Sequence, residues 1–200
     1  KKKKKAQTML KKLLFLSIVT RSFCTSIPNN IMTTETATFA GGCFWGVQKY
    51  FKKKFDLKSS EVGYVGGAKE NPSYKEVCTG TTGHAEAVQL KFDPSKVKYE
   101  DLVRYFFQIH DPTTKDRQGN DKGTQYRSAI FFHSNEQKET AEKVLKEIQE
   151  NENFKKAFDN RKPVTEIVKA AEFFTGEEYH QNYLDANPGG YCNHKEYFKL

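Results

Sequence analysis

Cys43 stands in the most informative stretch of the chain, Gly41-Gly42-Cys43-Phe44-Trp45-Gly46, which contains the single tryptophan. Thr36 to Ala40 before it reads as a short strand. After it, Phe44, Val47, Phe51 and Phe55 fall at helical spacing. A strand running through two glycines into a helix puts Cys43 in the first helical turn, where free amide N–H groups carry partial positive charge. A thiolate is favoured there, so the expectation is a thiol pKa below its ordinary ~8.5 and a cysteine that acts as a nucleophile. The glycines leave open space beside the sulfur, and Phe44 and Trp45 offer apolar walls. The bland alternative is a buried cysteine in a glycine turn, since Cys is often fully enclosed. The glycine pair, the helix start and the tryptophan together favour the reactive reading.

The remaining thiols set limits on the chemistry. Four cysteines (Cys24, Cys43, Cys78 and Cys192) are too few and too scattered for a disulfide framework in a chain of 200 residues. There is no CxxC pair, so neither a zinc ribbon nor a thioredoxin-like motif is present. Thiols here are buried, or they react one at a time.

The elements that must hold Cys43 alternate between strand and helix. Val62 to Val65 reads as a short strand closed by Gly66-Gly67, and His84 to Phe92 as a strand stopped by Asp93-Pro94. Tyr99 to Ile109 reads as an aromatic-rich helix. Residues 110–125 form a long polar loop, and loops of that length in compact domains are usually functional. Arg127 to His133 is a strand. Ser134 to Asn153 is an amphipathic helix opened by a capping box of Ser134 and Gln137. Thr165 to Lys169 is a strand and Glu177 to Leu184 a short helix. Gly189-Gly190 follow Pro188, so Cys192 is expected on a mobile segment. The order implies a single α+β domain, a two-layer α/β sandwich of ferredoxin-like type with a central mixed sheet and a flexible C-terminal tail.

Composition agrees with a packed core: 36% hydrophobic residues and 14% aromatic, including 16 Phe and 10 Tyr. The formal charge of +8 is misleading. Residues 1–34 carry eight basic side chains and no acid, and without them 25 basic residues face 25 acidic ones. A neutral folded part gives no case for nucleic-acid binding, which needs a basic face. Residues 1–34 read as a targeting segment: Lys11-Lys12 precede a short apolar run, Leu13 to Val19, far below the roughly 20 residues that span a bilayer. No membrane anchor is expected. Cytoplasmic, mitochondrial and secretory destinations all fit this segment, and residues 35–200 are read as the folded domain.

The motif series resembles the A-type peptide methionine sulfoxide reductase family. Gly42-Cys43-Phe44-Trp45-Gly46 is similar to that family's signature. The resemblance continues through Gly63-Tyr64-Val65-Gly66-Gly67, Asn71-Pro72-Ser73-Tyr74 and Gly83-His84-Ala85-Glu86-Ala87. It extends through His110-Asp111-Pro112, Arg117 to Asp121, Gly123 to Ser128 and His180 to Leu184, in the family's order. It implies that Cys43 attacks the sulfoxide sulfur while Glu86 donates a proton to the departing oxygen. A carboxyl does that near neutrality only if its surroundings raise its pKa from ~4.3. Tyr74 and Tyr126 match two tyrosines that hydrogen-bond the sulfoxide oxygen, Asp121 an acidic residue of the site, and Phe44 and Trp45 the walls that hold the S-methyl group.

Cys192, in Gly189-Gly190-Tyr191-Cys192, matches a resolving cysteine that would condense with a Cys43 sulfenic acid. The further recycling cysteine of many members has no counterpart, which implies that thioredoxin reduces Cys43–Cys192 directly. Cys78 matches a non-catalytic cysteine, and His180 a family histidine for which packing and catalysis both stand. The resemblance also implies the S epimer of methionine sulfoxide, free or in oxidised proteins, as substrate. It implies thioredoxin as partner and external reductant, no bound cofactor or metal, a monomer, and repair of oxidised proteins as the role.

Two other enzyme classes share fragments of this pattern. His84-Ala85-Glu86 matches half of a zinc deaminase signature, but the Pro-Cys-x-x-Cys that completes it is missing. A cysteine hydrolase would pair Cys43 with His84 or His180 as base and would need no second thiol. A third reading, a non-catalytic redox sensor, would bind partners by disulfide exchange without turning over a sulfoxide.

Overall fold

Six strands form one sheet in the order β7-β6-β1-β3-β2-β8. The strands are β1 (Glu35–Gly41), β2 (Ser59–Val65), β3 (Ala85–Phe92), β6 (Ser128–Phe132), β7 (Glu166–Lys169) and β8 (Phe173–Thr175). A two-stranded ribbon, β4 (Arg117–Gln118) with β5 (Asp121–Lys122), lies in the long loop. The helices are α1 (Phe44–Lys54), α2 (Tyr74–Cys78), α3 (Tyr99–Ile109), α4 (Asn135–Glu150), α5 (Glu152–Ala157) and α6 (Tyr183–Ala186). This is a computed structural model, and it describes residues 33–200. Most of the segment expected to be a targeting region, with Cys24, lies outside the described residues.

The inner strands β6-β1-β3-β2 have the ferredoxin-like arrangement. β1-α1-β2 is a crossover with β3 inserted antiparallel between its two strands, and β6 flanks β1 antiparallel. β7 joins β6 in parallel and β8 joins β2 antiparallel, so the sheet is mixed. Alternate side chains divide its two faces, as the period of two requires. Ala37, Phe39, Val62, Tyr64, Val88, Leu90 and Ile130 enter the main core against the helices. Ala40, Val65, Ala85, Ala87, Ala129 and Phe131 form a smaller cluster. Phe39 is the centre of the main core, stacked on Phe51 of α1 and Phe106 of α3, each with ring centroids 5.1 Å away.

Two expected helices and one expected cap depart from the sequence reading. The helix expected over Ser134 to Asn153 ends at Glu150, because Asn151 takes extended backbone and its side chain caps α5 by accepting from the Phe154 N–H. Ser134 does accept from the Gln137 N–H, but the Gln137 side-chain Oε1 accepts from the His133 amide, so only half the capping box forms. The single helix expected from Glu177 to Leu184 becomes a 3-10 turn, Glu178–His180, and then α6. Asn182 between them adopts left-handed backbone at φ 54°.

Candidate active site

The turn between β1 and α1 is shaped by what packs behind it. Gly42 has φ +95°, and a Cβ there would lie 2.5 Å from the Gln118 side chain, so glycine is required twice over. Cys43 is the N-cap residue of α1, one position earlier than expected, and its side chain makes no capping hydrogen bond. It is only 8% exposed. Burial pushes the Cys43 thiol up, and negative charge on Glu86 and Asp121 adds to this. The amides of Trp45 and Gly46 act in the opposite direction and are outweighed. The expected lowered pKa is therefore corrected: the helix start favours thiolate as argued, but enclosure beside two carboxyls dominates, and the resting group is a thiol.

Glu86 lies in β3 opposite Tyr64 of β2 and is 1% exposed. The Phe44 amide N–H donates to its Oε2 at 3.1 Å. Burial pushes the Glu86 carboxyl up to about 8; the Phe44 N–H opposes this and the Asp121 charge reinforces it. At neutral pH Glu86 is thus a carboxylic acid. Protonated Glu86 in turn removes its own charge from the surroundings of Cys43.

Half-buried phenols line the same space. Tyr74 opens α2 and Tyr126 ends the 3-10 turn Thr124–Tyr126. Burial raises both, with the Cys78 thiol contributing at Tyr74 and the Glu86 charge at both, so each stays a neutral O–H donor. Tyr126 lies close enough to feel Glu86, Cys78, Asp121 and Cys43. Asp121, in β5, sits beside the site and accepts from the Tyr191 hydroxyl at 3.0 Å and the Asn193 amide at 2.8 Å.

Phe44 is buried and Trp45 half-buried, and both turn toward His180, with ring centroids 5.1 and 5.5 Å away. The Trp45 indole donates to His180 Nδ1 at 3.2 Å and stacks on Tyr183 at 3.9 Å. Tyr74 lies 4.5 Å from the same imidazole. His180 is therefore the ring at the centre of an aromatic cluster, and it orients Trp45.

Sequence reasoning missed several supports. Glu177 accepts from the Tyr64 hydroxyl at 2.7 Å and the Tyr74 amide at 2.8 Å, tying β2 to α2. Its position beside His180-Gln181-Asn182-Tyr183 was the available signal. Gln118 brackets the loop by exchanging two hydrogen bonds with the Asp111 backbone. His84 is engaged on both nitrogens: Nδ1 accepts from the Gly67 amide at 3.1 Å and Nε2 donates to the Lys69 carbonyl at 2.7 Å. It is left with no lone pair for a metal or for service as a base. Among the described residues, no group of three or more His, Cys, Asp or Glu side chains is placed to hold a metal.

The C-terminal segment makes contacts that its glycines do not announce. Cys192 is a free thiol, half-buried, between Tyr191 and Asn193, both of which are bound to Asp121. Further on, Phe198 is buried among Phe154 and Phe158. The flexibility expected of this tail is thus confined by tethers on residues after the Gly189-Gly190 pair.

A ferredoxin-like sheet whose first strand delivers a cysteine to a helix start, beside a buried carboxylic acid, is a frame for thiol chemistry. The chain belongs to the peptide methionine sulfoxide reductase family, whose model matches residues 35–199. It is 50% identical over 158 residues to the peptide methionine sulfoxide reductase MsrA of Methanothermobacter thermautotrophicus, covering 79% of this chain and 90% of that one. Reduced Mxr1 from Saccharomyces cerevisiae superposes with a TM-score of 0.74 at 35% identity, covering 88% of this chain and 97% of that one. Mxr1 has also been solved in complex with Trx2; that structure shares the fold at 23% identity and a TM-score of 0.54, covering 86% of this chain and 96% of that one.

Proposed function

We propose that residues 35–200 are a catalytic domain that reduces the S epimer of methionine sulfoxide, free or within oxidised proteins, to methionine. The observation that carries this reading is the Phe44 N–H to Glu86 contact at 3.1 Å, which puts a buried acid beside the nucleophilic cysteine. The sulfoxide oxygen is a poor leaving group until protonated, and Glu86 holds a proton up to about pH 8. Tyr74 and Tyr126 donate hydrogen bonds to that oxygen as its charge grows, and Phe44 and Trp45 enclose the methyl group.

The Cys43 sulfur bonds to the sulfoxide sulfur as Glu86 protonates the oxygen, and the Cys43 proton replaces the one that Glu86 gives up. The sulfoxide S–O bond and the new S–S bond then break as the hydroxyl passes to the Cys43 sulfur, leaving methionine and a Cys43 sulfenic acid, so the sulfoxide gains the two electrons that the thiol loses. Cys192 then displaces the sulfenic hydroxyl as water, giving a Cys43–Cys192 disulfide. Thioredoxin, as external dithiol, reduces that disulfide. The electrons come from thiols throughout, so the cycle needs neither prosthetic group nor metal.

The protein works as a monomer in this reading, and residues 1–34 direct it to its compartment. Among the described residues, no helix is long and apolar enough to cross a membrane. The test is a thioredoxin-coupled assay on separated R and S epimers, with wild type and Cys43→Ser. Turnover of the S epimer alone, lost in Cys43→Ser, is expected. Equal use of both epimers, or activity that survives the substitution, overturns the reading.

A further inference from the structure

His194 lies beyond Cys192 in the C-terminal segment, yet its imidazole is buried behind the catalytic turn. Nε2 lies 2.8 Å from the Gly41 carbonyl oxygen, an acceptor, so the proton is on Nε2 and Nε2 donates. Nδ1 is then a bare acceptor, and it is buried with no hydrogen-bond partner. The ring fills a slot that exists only because α1 has glycine at Gly46: a Cβ there would sit 2.2 Å from Nδ1. Cε1 of the same ring lies 3.6 Å from where a Gly42 Cβ would be. The Tyr50 hydroxyl of α1 donates to the His194 carbonyl at 3.1 Å.

Cys192 is two residues before this plug, so its Cα lies within about 7 Å of the His194 Cα, whatever the intervening backbone does. Tyr191 and Asn193, the two residues that flank Cys192, are bound to Asp121, whose charge reaches Cys43. Cys192 is therefore held between two fixed points, Asp121 and the slot at Gly41, Gly42 and Gly46. The slot flanks Cys43 on both sides in sequence.

The geometry points to His194 as a positioning residue for the second chemical step: its seating in the glycine slot holds Cys192 where it can meet the oxidised Cys43. This rests on the functional reading above. The step is the attack of the Cys192 thiol on Cys43 sulfenic acid. The S–S bond forms, the S–O bond breaks, and hydroxyl leaves with the Cys192 proton as water. An unpaired buried nitrogen is tolerated here because the ring's shape and its Nε2 donor fix the segment. Gln offers a donor at a position like that of Nε2 and leaves nothing at Nδ1, whereas Ala offers neither.

The experiment separates the two steps. Wild type, His194→Ala and His194→Gln are each treated without reductant with one equivalent of methionine S-sulfoxide, and in parallel with hydrogen peroxide, which oxidises Cys43 to sulfenic acid with release of water. Methionine release reads the first step. Loss of the Cys192 thiol, and capture of sulfenic acid by a dione trap, read the second. His194→Ala is expected to slow disulfide formation at least about tenfold, the scale of a displaced reacting group, and to raise trapped sulfenic acid. Methionine release should stay within about twofold of wild type, and His194→Gln should recover most of the disulfide rate. Disulfide formation at the wild-type rate in His194→Ala overturns the inference, and so does a parallel loss of both steps in both variants. If wild type releases no methionine, the functional reading fails instead, and the peroxide arm still decides the role of His194.

Discussion

The backbone N–H of Phe44 donates to the Glu86 carboxyl at 3.1 Å, across 42 residues of sequence. The residue that follows Cys43 thus holds Glu86, and the turn that presents Cys43 also positions it beside that carboxyl. Because both groups are enclosed, each is kept neutral by burial: Cys43 as a thiol and Glu86 as a carboxylic acid.

Glu86→Gln keeps an acceptor for the Phe44 amide but has no proton to transfer. The rate of methionine release should fall by about 10²- to 10⁴-fold, the usual worth of a general acid. Stability should move the other way. With the folded pKa raised, Glu86 favours the native state fully below its unfolded value of ~4.3, and that contribution is lost as pH rises toward the folded value. Near pH 7 the loss is about 3 kcal/mol, so Glu86→Gln should denature at higher urea concentration than wild type there and show a smaller difference in acid. A variant no more stable at neutral pH would contradict the burial argument.

Wild-type methionine release should decline above about pH 8, where Glu86 loses its proton. Single-turnover rates across that range check this, and the decline should be absent in Glu86→Gln. A rate that climbs steadily through pH 9 would mean that thiolate formation limits the step instead.

Tyr74→Phe and Tyr126→Phe each remove one donor to the developing oxygen charge. Each should lower the first-step rate by roughly 10- to 100-fold, with little change in substrate affinity. Rapid-quench rates at saturating sulfoxide separate the two effects. A pure rise in KM would assign the phenols to binding alone.

Cys192→Ser should release one equivalent of methionine at the wild-type rate and then stop under thioredoxin-driven conditions. Steady turnover at the wild-type rate would remove Cys192 from the cycle and mean that the external dithiol reduces the Cys43 sulfenic acid directly.

Much of the frame was legible because it is local. The helix Tyr99–Ile109 matches its apolar spacing to the residue, and the strand-glycine-helix passage around Cys43 follows from residue types alone. Short elements were not legible: α2 has five residues and β8 three, too few to show a period. The Cys43 pKa was misread because the sequence displays the helix start but neither the burial that dominates nor the Glu86 and Asp121 charges that add to it. The contacts of the tail were not legible for a related reason. Gly189-Gly190 is a local signal of freedom, whereas the tethers of Tyr191, Asn193 and His194 run to Asp121 and Gly41, 70 or more residues away in sequence.

The most direct test of the account follows the oxidation state of Cys43 in Cys192→Ser, where the first product cannot resolve. After one equivalent of methionine S-sulfoxide, peptide mass analysis with a sulfenic-acid trap should find the adduct on Cys43, in the same amount as the methionine released. Methionine formed while Cys43 stays an unmodified thiol would contradict the account.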